Sequence, residues 1–395
     1  MNHTQPIQIK AANRTQQVQE YYFSKKLQQI DQLRRSGVNI LNLGIGSPDL
    51  PPSDETINTL YENAKSPKNH GYQSYIGIPA LREAFSKWYV TYFNVNLDPA
   101  TEILPLIGSK EGIMHITMAF VNEGEEVLIP DPGYPAYEAV TRIVGGKVRK
   151  YNLTEESGWY PDLQQLEKEG LENVKMMWVN YPHMPTGTKA TTEIYASLVA
   201  FARKHRILLC NDNPYSFILN DETLSILSIP GAKEVTLELN SLSKSHNMAG
   251  WRIGMVAGKA EFIKTILLIK SNMDSGMFQP LQAAAVHALQ ADMAWYTSVN
   301  KTYKARRQYA EQIMDAMGCS FNPKQSGMFL WGRIPEKYKD AEELTEKVLH
   351  EAQVFITPGF IFGTNGERFV RISLCSTEQA LQEAADRIKN MLNNK

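Results

Sequence analysis

Short apolar runs alternate with amphipathic stretches through most of this chain. Between residues 40 and 280, each apolar run is followed by a segment whose apolar positions recur at helical spacing. This alternation predicts an α/β fold with a mostly parallel sheet covered by helices. The predicted strands are 102–106, 126–129, 176–180, 207–211, 235–240 and 253–257, and clear helices are predicted at 80–92 and 193–204.

The pattern changes after about residue 300. A long charged helix is predicted at 302–317, followed by strands at 328–334 and 369–374 and a final helix at 377–392. This order predicts a second, smaller α+β domain. The domains are predicted as a large one at 54–300 and a small one at 301–395. The N-terminal arm at 1–53 joins the small domain, with a disordered first dozen residues and a helix at 21–33.

Composition narrows the class of protein. The 395 residues have a formal net charge of −1 and no basic run, which argues against a nucleic-acid surface. No stretch reaches the roughly 20 apolar residues of a membrane span. Cys210, Cys319 and Cys375 are widely spaced and form no CxxC pair, so neither a disulfide framework nor a metal site is expected. These features predict a soluble, cytoplasmic protein.

Lys244 carries the most specific chemical signal. It follows an apolar strand in the run Ser-Leu-Ser-Lys, and Arg252 lies shortly after it. A lysine can form an imine when burial or a nearby cation lowers its pKa, and an arginine suits a phosphate. Pyridoxal 5′-phosphate has both an aldehyde and a phosphate, so this pairing predicts it as the cofactor.

Asp212 and Tyr215 end another predicted strand. A carboxylate next to a pyridine nitrogen keeps that nitrogen protonated, which makes the ring an electron sink. A phenol at Tyr215 can donate to the ring's phenolic oxygen. The Asp-x-x-Tyr spacing alone is also typical of a turn. It supports a cofactor site only because it lies one β-α unit before Lys244.

A phosphate cradle is predicted where a small-residue turn separates a strand from a helix. Ser109 and Lys110 would begin that helix, whose free N–H groups and dipole favour an anion. Ser241, Ser243 and Arg252 would complete the cradle.

Two further residues have a structural and a functional interpretation. Tyr134, in Asp-Pro-Gly-Tyr-Pro, is either ordinary packing or a ring that stacks on the cofactor. Arg371 lies in mid-strand, in the run Arg-Phe-Val-Arg-Ile-Ser-Leu. It is either part of a buried ion pair or a receptor for a substrate carboxylate.

These motifs, in this order from about Gly46 to Leu374, resemble those of the fold-type I, class I/II aminotransferases. Ser-x-Ser-Lys followed by Asn-Met-Ala-Gly-Trp-Arg is similar to the alanine and LL-diaminopimelate aminotransferase branch. The resemblance implies a seven-stranded-type sheet and ping-pong transamination between an L-amino acid and a 2-oxo acid, through an aldimine on Lys244.

The resemblance also assigns roles to individual residues. Asp212 pairs with the pyridine nitrogen, Tyr215 contacts the phenolic oxygen and Tyr134 stacks on the ring. The substrate α-carboxylate binds Arg371, helped by the backbone of Gly46. The residues it implies for the phosphate are Ser109, Lys110, Ser241, Arg252 and, from a neighbouring subunit, Tyr72. A homodimer with shared active sites follows from that last residue.

One position departs from the family. In His183-Met184-Pro185-Thr186-Gly187, Met184 stands where relatives carry an asparagine that donates to the phenolic oxygen. A thioether cannot donate, so the pKa of the imine is expected to rise unless His183 or water supplies the missing hydrogen bond.

The substrate pocket and the type of reaction are less closely specified. Met277 and Phe278 predict an apolar pocket wall, and Tyr21 and Tyr22 are candidates to cap the site. A carbon–sulfur β-lyase would use the same lysine and aspartate, and a regulatory protein that retains the cofactor without turnover would explain Met184. Transamination remains the leading hypothesis.

Overall fold

The computed structural model describes residues 9–17 and 22–393. Its strands, in chain order, are β1 (Leu41–Asn42), β2 (Ile103–Leu106), β3 (Glu126–Asp131), β4 (Lys147–Asn152), β5 (Val174–Val179), β6 (Leu208–Asp212), β7 (Thr236–Ser241), β8 (Gly254–Gly258), β9 (Ser320–Phe321), β10 (Phe329–Arg333), β11 (Val354–Phe355), β12 (Thr357–Pro358) and β13 (Phe369–Ser373).

Thirteen α-helices connect these strands within the described ranges. They are α1 (Tyr22–Arg35), α2 (Asp54–Ala64), α3 (Pro79–Phe93), α4 (Ser109–Phe120), α5 (Pro135–Ile143), α6 (Leu163–Lys168), α7 (Thr192–His205), α8 (Leu242–Ser245), α9 (Ala260–Lys270), α10 (Gln279–Ala288), α11 (Met293–Met317), α12 (Ala341–Glu351) and α13 (Glu378–Asn393).

The central sheet has seven strands in the order β2-β8-β7-β6-β5-β3-β4. Strands β7, β6, β5, β3 and β4 are parallel, and β8 runs antiparallel to both of its neighbours. The predicted, mostly parallel sheet is confirmed. Because the parallel strands end at one edge, the residues that follow them come together there.

A separate four-stranded antiparallel sheet follows in the order β12-β13-β10-β9. Strand β1 pairs in parallel with β11, Leu41 opposite Val354, so the N-terminal segment is tied to the C-terminal part of the chain. Ile40 and Leu43 also pack in the same apolar cluster as α11, α12 and α13. These contacts agree with the predicted grouping of the arm, and the boundaries 1–53, 54–300 and 301–395 stay predictions.

Most predicted elements agree with the structure to within a few residues. The short strands β9, β11 and β12 and helix α12 were not predicted, and two further differences have clear reasons. Strand β4 was missed because its sequence, Lys-Val-Arg-Lys-Tyr-Asn, is polar and lies at the sheet edge, mostly without full burial. Helix α11 begins nine residues before the predicted start at residue 302, because the Asp292 side chain caps it by accepting from the amides of Ala294 and Trp295. Tyr21 and most of the segment predicted as disordered lie outside the described residues.

A partly buried ion pair connects the N-terminal segment to α11. Arg306 donates to both carboxylate oxygens of Asp49, at 2.6 and 2.8 Å, and also to the carbonyl of Leu374 at 3.1 Å. The Arg306 side chain is 4% exposed and that of Asp49 is 30% exposed. One guanidinium therefore holds the chain just after Gly46 against the end of β13.

We expect Asp49→Asn to destabilise the protein by about 3 kcal/mol, because it leaves a buried guanidinium without its charge partner. Arg306→Met should cost less, since water can reach the partly exposed carboxylate. Urea unfolding gives both values. Glu62→Gln, which removes the exposed partner of Lys65, is the control and should change stability by less than about 1 kcal/mol. Equal, small effects of Asp49→Asn and Glu62→Gln would contradict this account.

Candidate active site

A cavity of about 630 Å³ opens at the carboxyl edge of the central sheet, between that sheet and β13. It brings together nearly all of the residues predicted from the sequence: Gly46, Ser109, Lys110, Tyr134, Asp212, Tyr215, Ser241, Ser243, Lys244, Arg252 and Arg371. The charged residues of its lining are four cations and one carboxylate. This balance suits a ligand, or a pair of ligands, with several negative charges.

Lys244 lies on the short helix α8, which begins directly after β7. The Ser241 hydroxyl caps this helix by accepting from the amide of Ser243 at 3.0 Å. The Lys244 Nζ donates to the carbonyl of Gly46 at 2.6 Å. Burial lowers the pKa of Lys244, and the nearby cations of Arg371 and Arg252 lower it further, against an opposing effect of Cys375. A lowered pKa makes this amine a better nucleophile near neutral pH.

Asp212 ends β6 and points one carboxylate oxygen at Tyr137. The Tyr137 hydroxyl donates to Oδ2 at 3.0 Å, and its ring stacks on Trp178 at a centroid distance of 5.0 Å. Oδ1 is buried and has no hydrogen-bond partner among the described residues. Burial raises the pKa of Asp212 to about 6, against a lowering by the Tyr137 hydrogen bond. A buried oxygen without a partner is costly, so the site is complete only when a donor faces it.

The residues predicted to bind a phosphate meet at the start of α4. Ser109 and Lys110 occupy the first turn of this helix, where backbone N–H groups are available to an anion. Gly108 has a φ of +82°, and a Cβ there would lie 2.2 Å from Nη2 of Arg252. Glycine at this position therefore permits the close approach of the Arg252 guanidinium to the helix start. Ser241 and Ser243 line the cavity beside it.

Arg371 projects from β13 into the opposite side of the cavity. It donates through Nη2 to the carbonyl of Gly44 at 2.7 Å and through Nη1 to the sulfur of Met184 at 3.3 Å. Its guanidinium lies 3.9 Å from the ring centre of Phe329 and 4.6 Å from that of Phe362. The two rings hold the cation in a fixed plane, which favours bidentate recognition of a carboxylate.

The backbone of Gly46 connects the two halves of the site. A Cβ at this position would lie 2.1 Å from Cζ of Phe329, so only glycine fits against the ring that flanks Arg371. The same residue accepts the hydrogen bond of Lys244. The lysine and the arginine are therefore positioned relative to each other through one glycine.

Comparisons with known proteins identify the family. Residues 38–388 match the family model for aminotransferase class I and II. An LL-diaminopimelate aminotransferase of Maridesulfovibrio salexigens is 40% identical over 97% of this chain and 100% of the relative, and that of Aquifex aeolicus is 38% identical over 93% and 94%. The chain belongs to the class I and II aminotransferases.

Solved structures agree with this assignment. The apo structure of BacF from Bacillus subtilis superposes with a TM-score of 0.93 at 33% identity, covering 97% of this chain and 98% of BacF. An aromatic aminotransferase from Pyrococcus horikoshii gives a TM-score of 0.84 at 28% identity, over 92% and 99%. The transaminase hypothesis is confirmed at the level of family and reaction, and nothing in these comparisons favours the lyase alternative.

Some residues of this aminotransferase differ from the expectation. Met277 is buried in the core of the large sheet, and Phe278 is 44% exposed and packs on His70, so neither lines the cavity of its own chain. The apolar wall is formed instead by Leu27, Ile45, Phe329 and Phe362. The prediction of an apolar wall is right and the residues were wrong, because helix α1 and β10 reach the site from distant parts of the sequence.

Two further predictions concern the edge of the site. Tyr22 makes an edge-on contact with Phe360 at 5.5 Å and is not among the cavity-lining residues. Tyr72 is 94% exposed and lies away from the cavity of its own chain. A role for Tyr72 therefore requires a second subunit.

Sequence reasoning missed Tyr137 and Asn180, both of which line the cavity of the aminotransferase. Tyr137 stands three positions after Tyr134 on the first turn of α5, a spacing that places both side chains on one face of the helix. Asn180 directly follows β5, as Asp212 ends β6. The position at the end of a parallel strand was the available signal for Asn180.

Asp212→Asn is expected to stabilise the cofactor-free enzyme at high pH. Because burial raises the pKa of Asp212 from 3.8 to about 6, the carboxyl adds stability below about pH 4 that is lost as the pH rises through about 6. The variant avoids this loss, which amounts to at most about 3 kcal/mol at pH 8. Urea unfolding of both proteins at pH 5 and pH 8 measures it. If the difference in free energy of unfolding between the two proteins does not grow with pH, the raised pKa of Asp212 is contradicted.

Proposed function

We propose that this aminotransferase binds pyridoxal 5′-phosphate in the cavity and transfers an amino group from an L-amino acid to a 2-oxo acid by a ping-pong mechanism. The observation that carries the proposal is the placement of the Lys244 amine and the partnerless Asp212 oxygen in one cavity with a helix start suited to phosphate. A pyridine nitrogen, an aldehyde and a phosphate are the three groups that these features would satisfy. When bound, the cofactor withdraws electrons from the Cα of the substrate.

The residues of the chain have separable roles in this proposal. Asp212 would hold a proton on the ring nitrogen, and Tyr215, which is close to Phe329 at 6.1 Å between ring centres, would donate to the ring oxygen. Tyr134 lies at the start of α5, where its ring can cover one face of the cofactor. The phosphate would be bound by Ser109, Lys110, Ser241, Ser243 and Arg252.

Substrate binding and proton transfer would fall to Arg371 and Lys244. Arg371 would bind the α-carboxylate, since its guanidinium is fixed between two rings beside the carbonyl of Gly44. This orients Cα toward Lys244. Once released from its hydrogen bond to Gly46, the Lys244 amine would take the proton from the substrate Cα as a general base. It would then donate that proton to the cofactor as a general acid.

A homodimer with shared sites extends the proposal. Tyr72 is exposed, as are Tyr75, Met273 and Phe278, and Gly276 packs against the backbone of Gln73 and Ser74, so the two loops are neighbours. A second copy covering this apolar surface would bury these side chains and bring Tyr72 to the partner's phosphate cradle. Cys210, Cys319 and Cys375 are free and buried, which fits a reducing compartment such as the cytoplasm.

Among the described helices, none combines the length and apolarity that crossing a membrane requires.

The decisive test is covalent. Borohydride reduction of the purified enzyme, followed by peptide mapping, should place the pyridoxyl label on Lys244 in the parent. In Lys244→Ala the label should be absent. A panel of L-amino acids should then bleach the visible band of the parent, and a 2-oxo acid should restore it. Label at another lysine, or release of pyruvate and ammonia without an oxo acid, would overturn the proposal.

Tyr72→Phe tests the shared site. We expect it to weaken cofactor binding by about tenfold, which corresponds to the loss of one hydrogen bond to a charged group, while the enzyme stays dimeric by light scattering. Tyr61→Phe, at another exposed tyrosine of the same chain, is the control and should leave cofactor binding unchanged. A monomeric parent enzyme, or equal cofactor affinities for the parent and Tyr72→Phe, would contradict the shared site.

A further inference from the structure

The cavity wall between Arg371 and Asp212 contains an apolar side chain where a donor would be useful. Met184 lines this wall, and its sulfur accepts a hydrogen bond from Arg371 at 3.3 Å. A thioether has no hydrogen to donate. A charged oxygen on the edge of a bound ring would therefore receive nothing from position 184.

Asn180 is the amide-bearing side chain of the cavity lining. It is 3% exposed and directly follows β5, the strand next to β6, so it lies beside Asp212. Its Oδ1 accepts from the backbone amide of Met184 at 2.8 Å, and its Nδ2 donates to the backbone carbonyl of Asp212 at 2.5 Å. Both partners are backbone groups with fixed donor and acceptor character.

Those two hydrogen bonds fix the orientation of the amide. The backbone N–H of Met184 can only donate, and the carbonyl of Asp212 can only accept, so the oxygen and the nitrogen of Asn180 cannot exchange places. The Asn180 nitrogen carries two hydrogens, and the bond to Asp212 uses one. The second hydrogen belongs to a rigid amide on the wall of the cavity.

His183, the other candidate for this task, is excluded by its position. Its ring bonds Thr186 through Nδ1 at 2.8 Å and does not line the cavity. Burial lowers its pKa to about 3, so the ring is neutral at physiological pH. It therefore offers neither a charge nor a hydrogen bond to the ligand.

We propose that Asn180 donates its second amide hydrogen to the ring oxygen of the bound cofactor and so replaces the donor that Met184 cannot provide. The inference rests on the proposed cofactor. It makes Asn180 a binding residue with two functions, since the same nitrogen holds the backbone of Asp212. One 2.5 Å hydrogen bond then joins Asn180 to the backbone carbonyl of Asp212, the residue whose carboxylate would face the ring nitrogen.

A double-mutant cycle tests this role through the spectrum of the holoenzyme, without reference to turnover. The midpoint of the pH titration of its visible band is measured in the parent, Asn180→Leu, Met184→Asn and the double variant. We expect Asn180→Leu to raise the midpoint by about one to two pH units. Without the donor, the negative charge on the ring oxygen is less stabilised and holds the neighbouring proton more strongly. Met184→Asn alone should shift the midpoint by less than about half a unit. In the Asn180→Leu background, Met184→Asn should return the midpoint most of the way to the value of the parent.

Asn213→Leu is the matched control. Asn213 is buried like Asn180, directly follows Asp212 in the chain and donates to the carbonyl of Leu224, outside the cavity. This variant should lower stability without moving the midpoint. If Asn180→Leu does not fold, Asn180→Ser, which is smaller and retains an acceptor near Met184, takes its place with the same expected direction.

The outcomes separate this inference from the proposed function. An unmoved midpoint in the Asn180 variants, or a fall of one unit or more in Met184→Asn alone, would overturn the role of Asn180 while the Lys244 label from borohydride remains. If that label is missing in the parent, the proposed cofactor fails and the inference fails with it. A midpoint that moves equally in Asn180→Leu and Asn213→Leu would also reject it, because the effect would then be general loosening of the site.

Discussion

The hydrogen bond between the Lys244 amine and the Gly46 carbonyl is the contact on which the site depends. It joins the end of the central sheet to the N-terminal segment, which is in turn held by the Arg306–Asp49 pair and by the pairing of β1 with β11. An amine in this position is neither a solvated lysine nor half of an ion pair. Burial lowers the pKa of Lys244, and the neighbouring cations Arg371 and Arg252 lower it further, so a neutral, reactive amine becomes accessible.

The same arrangement explains why the cavity suits a ligand with both a phosphate and a carboxylate. Four cations surround one carboxylate, and each cation has a fixed place: two near the start of α4, one between the rings of Phe329 and Phe362, and one on α8. Asp212 is the exception, a buried acid that lines the cavity and whose Oδ1 has no hydrogen-bond partner among the described residues. Burial disfavours its charged form and so raises its pKa. A protonated ring nitrogen beside the carboxylate would offset this cost of burying a charge.

Much of the fold and the site could be predicted from the sequence because the relevant signals are local. A buried parallel strand appears as an apolar run, and the polar residues that follow it, such as Asp212 and Lys244, must meet at one sheet edge. Strand β4 was missed because an edge strand does not need an apolar run. The apolar wall was assigned to Met277 and Phe278, since nothing local shows that Leu27 of α1 crosses to the cavity. Asn180 escaped notice because an asparagine after a strand is usually part of a turn.

Burial and two neighbouring guanidinium groups make the amine at position 244 reactive. The most direct measurement is the pH dependence of its labelling by a small amine reagent in the cofactor-free enzyme, resolved residue by residue with mass spectrometry. We predict that Lys244 titrates at a lower pH than the lysine of a short reference peptide, and that Arg252→Met narrows the difference between the two. A Lys244 that titrates together with the lysine of the reference peptide, in the parent and in the variant alike, would contradict this explanation of its reactivity.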